Sequence, residues 1–242
     1  MRPQVEPPVC IALDVGDLGA AEAMVDALGG LVPVFKVGLE LFTAVGVRAV
    51  EAVRSRGAEV FLDLKVNDIP KQAAGAVRAA AEIGVSYLTV HSNAGRATVR
   101  AATDASVEGG PTILVVSVLT SLDDEGLREV GIERPTGDQV AAMARLASDE
   151  GAAGLVLGAG EVESVRRTHP GLFLVTPGIR PAAADVADQR RVGTPGAAVD
   201  AGADMLVVGR PVTAAADPAG ALEAILREIA EARGRAVSKA GA

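Results

Sequence analysis

The sequence has little of several residue types on which common kinds of protein depend. Its single cysteine, Cys10, excludes an internal disulfide and leaves no Cys/His cluster with the spacing of a zinc site. Cys10 lies in the apolar run VCIALDV, where we expect it to be a small buried residue. Aromatic residues make up 2% of the chain and tryptophan is absent, so stacking platforms for nucleic-acid bases are largely missing.

Positive charge and long apolar runs are also scarce. The chain has 23 Lys and Arg against 31 Asp and Glu, a formal net charge of -8. This balance argues against a broad nucleic-acid surface but allows a local cationic pocket for a small anion. No apolar run reaches the length of about 18 residues that a membrane span needs, and the segment MRPQVEPPV lacks the apolar core of a signal peptide. We therefore expect a cytoplasmic protein that binds neither nucleic acid nor a membrane.

Short β-branched apolar runs are what the sequence has in abundance. Ala-rich segments with helical spacing separate them, for example those at 71–84 and 139–151. Such alternation is typical of a parallel sheet covered by helices. The predicted strands are 9–15, 34–38, 59–65, 87–92, 112–120, 154–158, 172–178 and 205–209.

Eight such repeats in 242 residues match the size of a (β/α)₈ TIM barrel. A doubly wound sheet more often has about five or six strands and a Gly-rich first turn, and no G-x-G-x-x-G follows the first strand. We therefore predict an α/β protein with a single barrel domain over 1–242. The long polar connection 121–138 follows the fifth strand and is a candidate lid, whereas 234–242 is expected to be a frayed tail.

The pattern D-x-K-x-x-D lies where the third apolar strand gives way to a proline-broken loop. Strand alternation sends Asp63 and Lys65 to the same face, and Asp68 follows in the loop. A structural salt bridge at a strand end is the alternative for this pair taken alone. However, barrel active sites lie at the carboxyl ends of the strands, where Asp14 ends the first strand and Lys36 lies near the end of the second. We predict one pocket with alternating negative and positive charges.

A second group of residues follows the last two predicted strands. Arg180 lies in TPGIRP, Gln189 in the downstream DQRR, and Gly209 and Arg210 in VVGRPV. Barrels commonly hold phosphate in the loops after strands seven and eight, with backbone N–H groups, a close glycine and arginine charge. The alternative for the last motif is a plain surface arginine, but the pairing of Arg180 with Arg210 favours a site for a phosphorylated ligand.

The two histidines carry less information. His91 closes the fourth predicted strand and could line the pocket or be a packed, hydrogen-bonded residue. His169 precedes Pro170 in a polar turn, where we expect it to be solvated. No G-x-S-x-G motif is present, so acyl transfer by a serine nucleophile has no support.

Taken together, these motifs resemble the orotidine 5′-phosphate decarboxylase family over residues 9–225. The match runs through LDVGD, FKVGLELF, DLKVNDIP, VHSNAG, VLTS, TPGIRP with DQRRV, and VVGRP. The resemblance implies decarboxylation of orotidine 5′-monophosphate to UMP in pyrimidine biosynthesis, with no cofactor and no metal. It implies Lys65 as the proton donor, in a network with Asp14, Lys36, Asp63 and Asp68.

The same resemblance assigns the remaining site residues. Thr120 would contact the pyrimidine, while Arg180, Gln189, Gly209 and Arg210 would hold the 5′-phosphate. The residue matching Asp68 reaches the pocket of the other subunit in this family, so a homodimer is implied. Where the family usually has threonine, in DIP-x-T, this chain has Gln72. An amide can still donate and accept hydrogen bonds, so we expect this departure to affect ribose affinity rather than the chemistry.

Two other functions compete with this interpretation. Magnesium-dependent decarboxylases and aldolase-like lyases that act on sugar phosphates share D-x-K-x-x-D, but they typically carry a glutamate metal ligand where Lys36 stands. A cation there would repel Mg²⁺. The second is a nucleotide-binding protein without turnover, which would not need an acid such as Asp63 beside the base ring. A purely structural barrel has the least support.

Overall fold

The computed structural model describes residues 2–181 and 193–240. Eight parallel strands pair in chain order, and the last pairs with the first, so the sheet closes into a barrel. The predicted (β/α)₈ architecture is therefore confirmed. The strands are β1 (Val9–Ala12), β2 (Val34–Gly38), β3 (Glu59–Val66), β4 (Tyr87–His91), β5 (Thr112–Val116), β6 (Gly154–Val156), β7 (Phe173–Thr176) and β8 (Met205–Val208).

Helices follow the strands and cover the barrel. The described helices are α1 (Leu18–Leu28), α2 (Leu39–Val45), α3 (Arg48–Arg54), α4 (Pro70–Glu82), α5 (Arg96–Ala105), α6 (Asp124–Glu129), α7 (Thr136–Asp149), α8 (Val162–Thr168), α9 (Pro195–Asp200), α10 (Arg210–Thr213) and α11 (Pro218–Ala240). Among the described residues, none of these helices combines the length and apolarity that a bilayer span requires.

Strand alternation divides the apolar residues between two cores. Along β1, Val9 and Ile11 pack outward against the helices, whereas Cys10 and Ala12 face the barrel interior. Burial raises the pKa of the Cys10 thiol, as expected for a small packed residue. Three aromatic rings from β3, β4 and β7 fill the lower interior: Tyr87 contacts Phe61 edge-on and stacks on Phe173. Side chains thus fill the amino-terminal end of the barrel, and a cavity lies toward the carboxyl ends of the strands.

The carboxyl-terminal segment differs from what its sequence indicates. Helix α11 runs to Ala240, so the predicted frayed tail from Gly234 is wrong; alanine, arginine and lysine favour helix, and one interior glycine costs only about 1 kcal/mol. The candidate lid at 121–138 contains the short helix α6. The Asp124 carboxylate accepts hydrogen bonds from the backbone N–H of Thr136, at 2.8 Å, and from its hydroxyl, at 2.6 Å. These bonds tie the start of α6 to the start of α7.

Candidate active site

A cavity of about 610 Å³ lies at the carboxyl ends of the strands. It brings both predicted groups of residues into one space, because parallel strands present their ends at the same rim of a barrel. Its floor is apolar and belongs to the interior positions of the strands. The predicted site residues that line the cavity are Asp14, Lys36, Asp63, Lys65, Thr120, Arg180, Gly209 and Arg210.

Lys36 lies in the middle of β2, with its ammonium between two carboxylates. Its Nζ is 2.9 Å from Asp14 Oδ1 and 3.7 Å from Asp63 Oδ2. Asp14 lies two residues beyond the end of β1 and is 55% exposed at its side chain, whereas Lys36 and Asp63 are 10% and 13% exposed. Gly38 leaves the space for this contact: a Cβ there would lie 2.9 Å from Lys36 Nζ and 3.0 Å from Asp14 Oδ1.

Lys65 points to the same side of β3 as Asp63, as the sequence predicts. Its Nζ donates to Asp63 Oδ2 at 2.9 Å. The backbone is not a regular strand here, because the β3–β4 register shifts between Leu62 and Val66. Among the described residues, Lys65 is the one non-glycine residue with a positive φ, 51°. Strand alternation therefore predicts correctly that Lys65 and Asp63 share a side, although the backbone at Lys65 is not that of a regular strand.

The electrostatics of the site keep its buried groups charged. Burial opposes the ammonium of Lys36, but the nearby carboxylates of Asp63 and Asp14 outweigh burial and hold its pKa above the ordinary lysine value. Burial likewise opposes ionisation of Asp63. The charges of Lys36 and Lys65 and the hydrogen bonds from Lys65 and Thr89 nevertheless keep its pKa below that of an ordinary carboxyl group. The arrangement is a preorganised alternation of positive and negative charge.

Thr89 is part of this arrangement and the sequence interpretation missed it. It is fully buried in the middle of β4. Its hydroxyl donates to Asp63 Oδ1 at 2.9 Å and accepts the backbone N–H of Lys65 at 2.8 Å. One signal for Thr89 was present in the sequence. Residues two apart on a strand share a face, so Thr89 lies on the same interior face of β4 as the core residue Tyr87, where a polar side chain is unusual.

The far wall of the cavity carries the two arginines. Arg180 lies beyond β7, and its backbone N–H donates to the carbonyl of Gly193 at 3.0 Å, next to the isolated bridge between Ile179 and Gly193. Arg210 begins α10 and is exposed. Gly209 precedes Arg210 and lines the cavity. A Cβ at Gly209 would make ordinary van der Waals contacts with Ala12 and Asp14, so a larger side chain there would reduce the space in the cavity.

Two predicted site residues that the structure describes are not brought into the cavity. Asp68 and Gln72 are exposed at the β3–α4 junction and do not line it. The Asp68 carboxylate accepts the N–H of Ile69 at 2.6 Å, and its carbonyl accepts the hydroxyl of Thr98 at 2.9 Å. This anchors the loop on its own barrel while the carboxylate remains at the surface. Gln189 lies outside the described residues.

Neither histidine lines the cavity. His91 is partly buried and its Nδ1 accepts the N–H of Asn93 at 3.2 Å, so the packed, hydrogen-bonded alternative describes it. Burial and the charge of Lys65 lower its pKa. His169 pairs its Nδ1 with the Thr168 hydroxyl at 2.9 Å at the end of α8.

The fold and the site together define a barrel enzyme class, with the charged cavity at the carboxyl ends of the strands where such enzymes carry out their chemistry. Comparison with known protein families identifies the family within this class. The chain belongs to the orotidine 5′-phosphate decarboxylase / HUMPS family, whose model matches residues 7–225. The resemblance inferred from the motifs is thereby confirmed.

Individual relatives agree over nearly the full chain. It is 48% identical over 238 residues to the orotidine 5′-phosphate decarboxylase of Moorella thermoacetica, covering 95% of this chain and 94% of that one. The enzyme of Paramagnetospirillum magneticum is 46% identical over 230 residues, covering 92% and 98%. The crystal structure of orotidine 5′-phosphate decarboxylase from Lactobacillus acidophilus superposes with a TM-score of 0.80 at 34% identity, covering 92% and 98%.

Proposed function

We propose that the chain decarboxylates orotidine 5′-monophosphate to UMP and CO₂ in pyrimidine biosynthesis, with no metal or cofactor. The family and its relatives support the reaction. The observation that carries the mechanism is the position of Lys65 Nζ, which lines the cavity and donates to Asp63 at 2.9 Å, with Lys36 behind the same carboxylate.

Lys65 is the proposed proton donor. When the bond between C6 of the pyrimidine and its carboxylate breaks, the electron pair stays on C6 and CO₂ departs. The ring delocalises this charge poorly, so nearby positive charge and prompt protonation must stabilise it. Transfer of a proton from Lys65 Nζ to C6 forms the new C–H bond, gives UMP and leaves a neutral amine. Solvent then returns the proton to Lys65.

Asp63 and Lys36 are proposed to prepare Lys65 for this step. The Asp63 carboxylate accepts a hydrogen bond from Lys65 Nζ at 2.9 Å and so holds the proton donor at the cavity. Asp63, placed beside the substrate carboxylate, also repels it before the reaction and is relieved when CO₂ leaves. Preorganised charge is the larger effect in this account, because the lysines and aspartates are paired with one another at the cavity.

The opposite wall is proposed to hold the 5′-phosphate. Arg180, Gly209 and Arg210 line the cavity on that side, and arginine binds phosphate oxygens through paired N–H donors. Gln189 is proposed to join them, and Thr120 to contact the pyrimidine. Binding energy from the distant phosphate positions the reacting ring, so a substrate without phosphate is expected to lose rate as well as affinity.

A homodimer completes the proposal. Asp68 and Gln72 are exposed and outside the cavity of their own chain. Beside them, Ile69 exposes 62% of its surface. In the proposed dimer, Asp68 reaches the partner's cavity and Gln72 helps to bind the ribose. A cytoplasmic location fits a metabolic enzyme of this family.

The magnesium-dependent alternative meets an obstacle at Lys36. Its ammonium lies within 3.7 Å of both Asp14 and Asp63, the carboxylates that a divalent cation would need. A metal ion there would face a fixed positive charge.

The deciding experiment follows the absorbance of orotidine 5′-monophosphate with EDTA-treated protein, beside Lys65→Ala. Loss of absorbance in the wild type alone supports a metal-free decarboxylase that depends on Lys65. No loss in the wild type rejects the proposal and directs attention to sugar phosphates with added Mg²⁺. UMP binding without turnover on either substrate class would indicate a nucleotide-binding protein.

A further inference from the structure

We infer that Thr89 is a positioning residue for the reaction, and that its one hydroxyl sets both the carboxylate of Asp63 and the backbone of Lys65. This inference rests on the proposed function for its kinetic consequences. Its structural content stands on the geometry of β3 and β4.

The hydroxyl of Thr89 makes two hydrogen bonds. Thr89 Oγ1 donates its hydrogen to Asp63 Oδ1 at 2.9 Å and accepts the Lys65 N–H at 2.8 Å. The other oxygen of Asp63, Oδ2, accepts from Lys65 Nζ at 2.9 Å. Both carboxylate oxygens therefore have directional partners, and the Asp63 carboxylate cannot rotate without breaking one of these bonds.

The backbone of Lys65 has an unusual conformation. Its φ of 51° lies in the left-handed region, which side chains other than glycine rarely adopt. Such conformations persist where the surroundings hold them, and they concentrate at functional sites. The β3–β4 ladder is interrupted between Leu62 and Val66, so the N–H of Lys65 bonds to a side chain, that of Thr89. Thr89 replaces the missing strand partner and holds the turn that aims Lys65 into the cavity.

Thr89 is completely buried. It is 0% exposed and is not among the residues that line the cavity, so no direct contact with a substrate is assigned to it. Its action is through Asp63 and Lys65. Loss of the hydroxyl is therefore expected to lower kcat and leave KM nearly unchanged, because the phosphate-binding wall is on the other side of the cavity.

Three variants test this inference. Thr89→Val keeps the shape and removes the hydroxyl; we expect kcat to fall about 10- to 100-fold from the misplaced proton donor, with KM within about threefold. Thr89→Ser keeps the hydroxyl and should retain most of the wild-type kcat. Thr176→Val is the matched control, because Thr176 is equally buried in β7 and, within the described residues, its hydroxyl has no hydrogen-bond partner. Its kcat should equal that of the wild type.

The outcomes separate the two proposals. Wild-type kcat in Thr89→Val, or a fall in Thr89→Ser as large as in Thr89→Val, would overturn the positioning role. If Thr89→Val does not fold, Thr89→Ser decides alone: a tenfold fall in its kcat at unchanged thermal stability counts against the inference. An inactive wild type would reject the proposed function instead.

Crystal structures of the wild type and Thr89→Val then provide the readout that needs no turnover. We expect the variant to show a rotated Asp63 carboxylate and Lys65 outside the left-handed region. An unchanged Asp63–Lys65 geometry would overturn the inference whatever the activity.

Discussion

The two sides of the cavity are built in different ways. On the side of β1 to β4, the charged groups bind one another: Lys36 contacts two carboxylates, and Asp63 is held by Lys65 and Thr89. All of these groups except Asp14 lie on strands, and Lys36 and Asp63 are largely buried. On the side of β7 and β8, the arginines lie beyond the strand ends, and Arg210 is exposed.

This difference suits the two sides to two tasks, stabilisation of charge during the reaction and binding of the ligand. A strand-borne, mutually bonded array keeps its geometry before any ligand arrives, which is what stabilisation of a developing charge requires. An exposed arginine beyond a strand is suited to close on a ligand as it binds. Substitutions on the first side should therefore lower kcat, whereas substitutions on the second should raise KM.

The largest expected effect comes from Lys65→Ala. Removing the proton donor and its charge should lower kcat by at least about 10³-fold, since both general-acid and electrostatic contributions are lost. The fold should persist because Lys65 is partly exposed at the cavity. The rate of absorbance loss of orotidine 5′-monophosphate measures the effect, and Lys71→Ala, at an exposed lysine of α4, is the control. Turnover near the wild-type rate would remove the proposed mechanism.

Arg210→Ala should weaken binding of the phosphate on the side of β7 and β8. Loss of charge-assisted hydrogen bonds to a phosphate costs about 1.5–3 kcal/mol, which corresponds to a rise of roughly 10- to 150-fold in KM. The comparison substrate is orotidine, which lacks the phosphate, and its kcat/KM should be the same for the variant and the wild type. An unchanged KM for the phosphorylated substrate, or an equal loss with orotidine, would contradict the assigned role.

Gly38→Ala sharpens the comparison with a single methyl group. The backbone of Gly38 is extended and suits alanine, but the new Cβ would approach Lys36 Nζ and Asp14 Oδ1 at about 3 Å. Because those atoms end flexible side chains, we expect little loss of thermal stability and about a tenfold fall in kcat. Gly30→Ala is the control, since a Cβ there meets nothing within 4 Å. Equal kcat values for the two variants would show that the Lys36–Asp14 contact does not matter for turnover.

The smallest effect is on stability at low pH. The pKa of Asp63 is lowered in the folded protein, so its contribution to the free energy of unfolding is present above the unfolded value of about 3.9 and is lost as the pH falls through the folded value. The Tm of the wild type should therefore exceed that of Asp63→Asn above pH 5, and the difference should shrink below about pH 4. Thermal melts between pH 3 and pH 7 measure it. A difference that widens toward low pH would mean that the pKa of Asp63 is raised instead.

Much of the site could be predicted because charge at the end of an apolar strand is conspicuous. Asp14, Lys36, Asp63 and Lys65 each interrupt an apolar run, and the barrel brings them together as predicted. Thr89 could not be recognised in this way, since threonine is common in strands and its partners come from another strand. The length of α11 was misjudged because a glycine signals a helix end only weakly.

The sequence by itself determined the barrel, through eight apolar strands alternating with helices, and it determined that the charged site residues lie at the carboxyl ends of strands. Only the tertiary structure decided how those charges pair, because the pairing depends on distances between strands that are far apart in the chain. It also decided the left-handed backbone of Lys65, which no local preference favours and which the hydroxyl of Thr89 holds. Periodicity is local and therefore readable, whereas hydrogen-bond geometry across strands exists only once the barrel has closed.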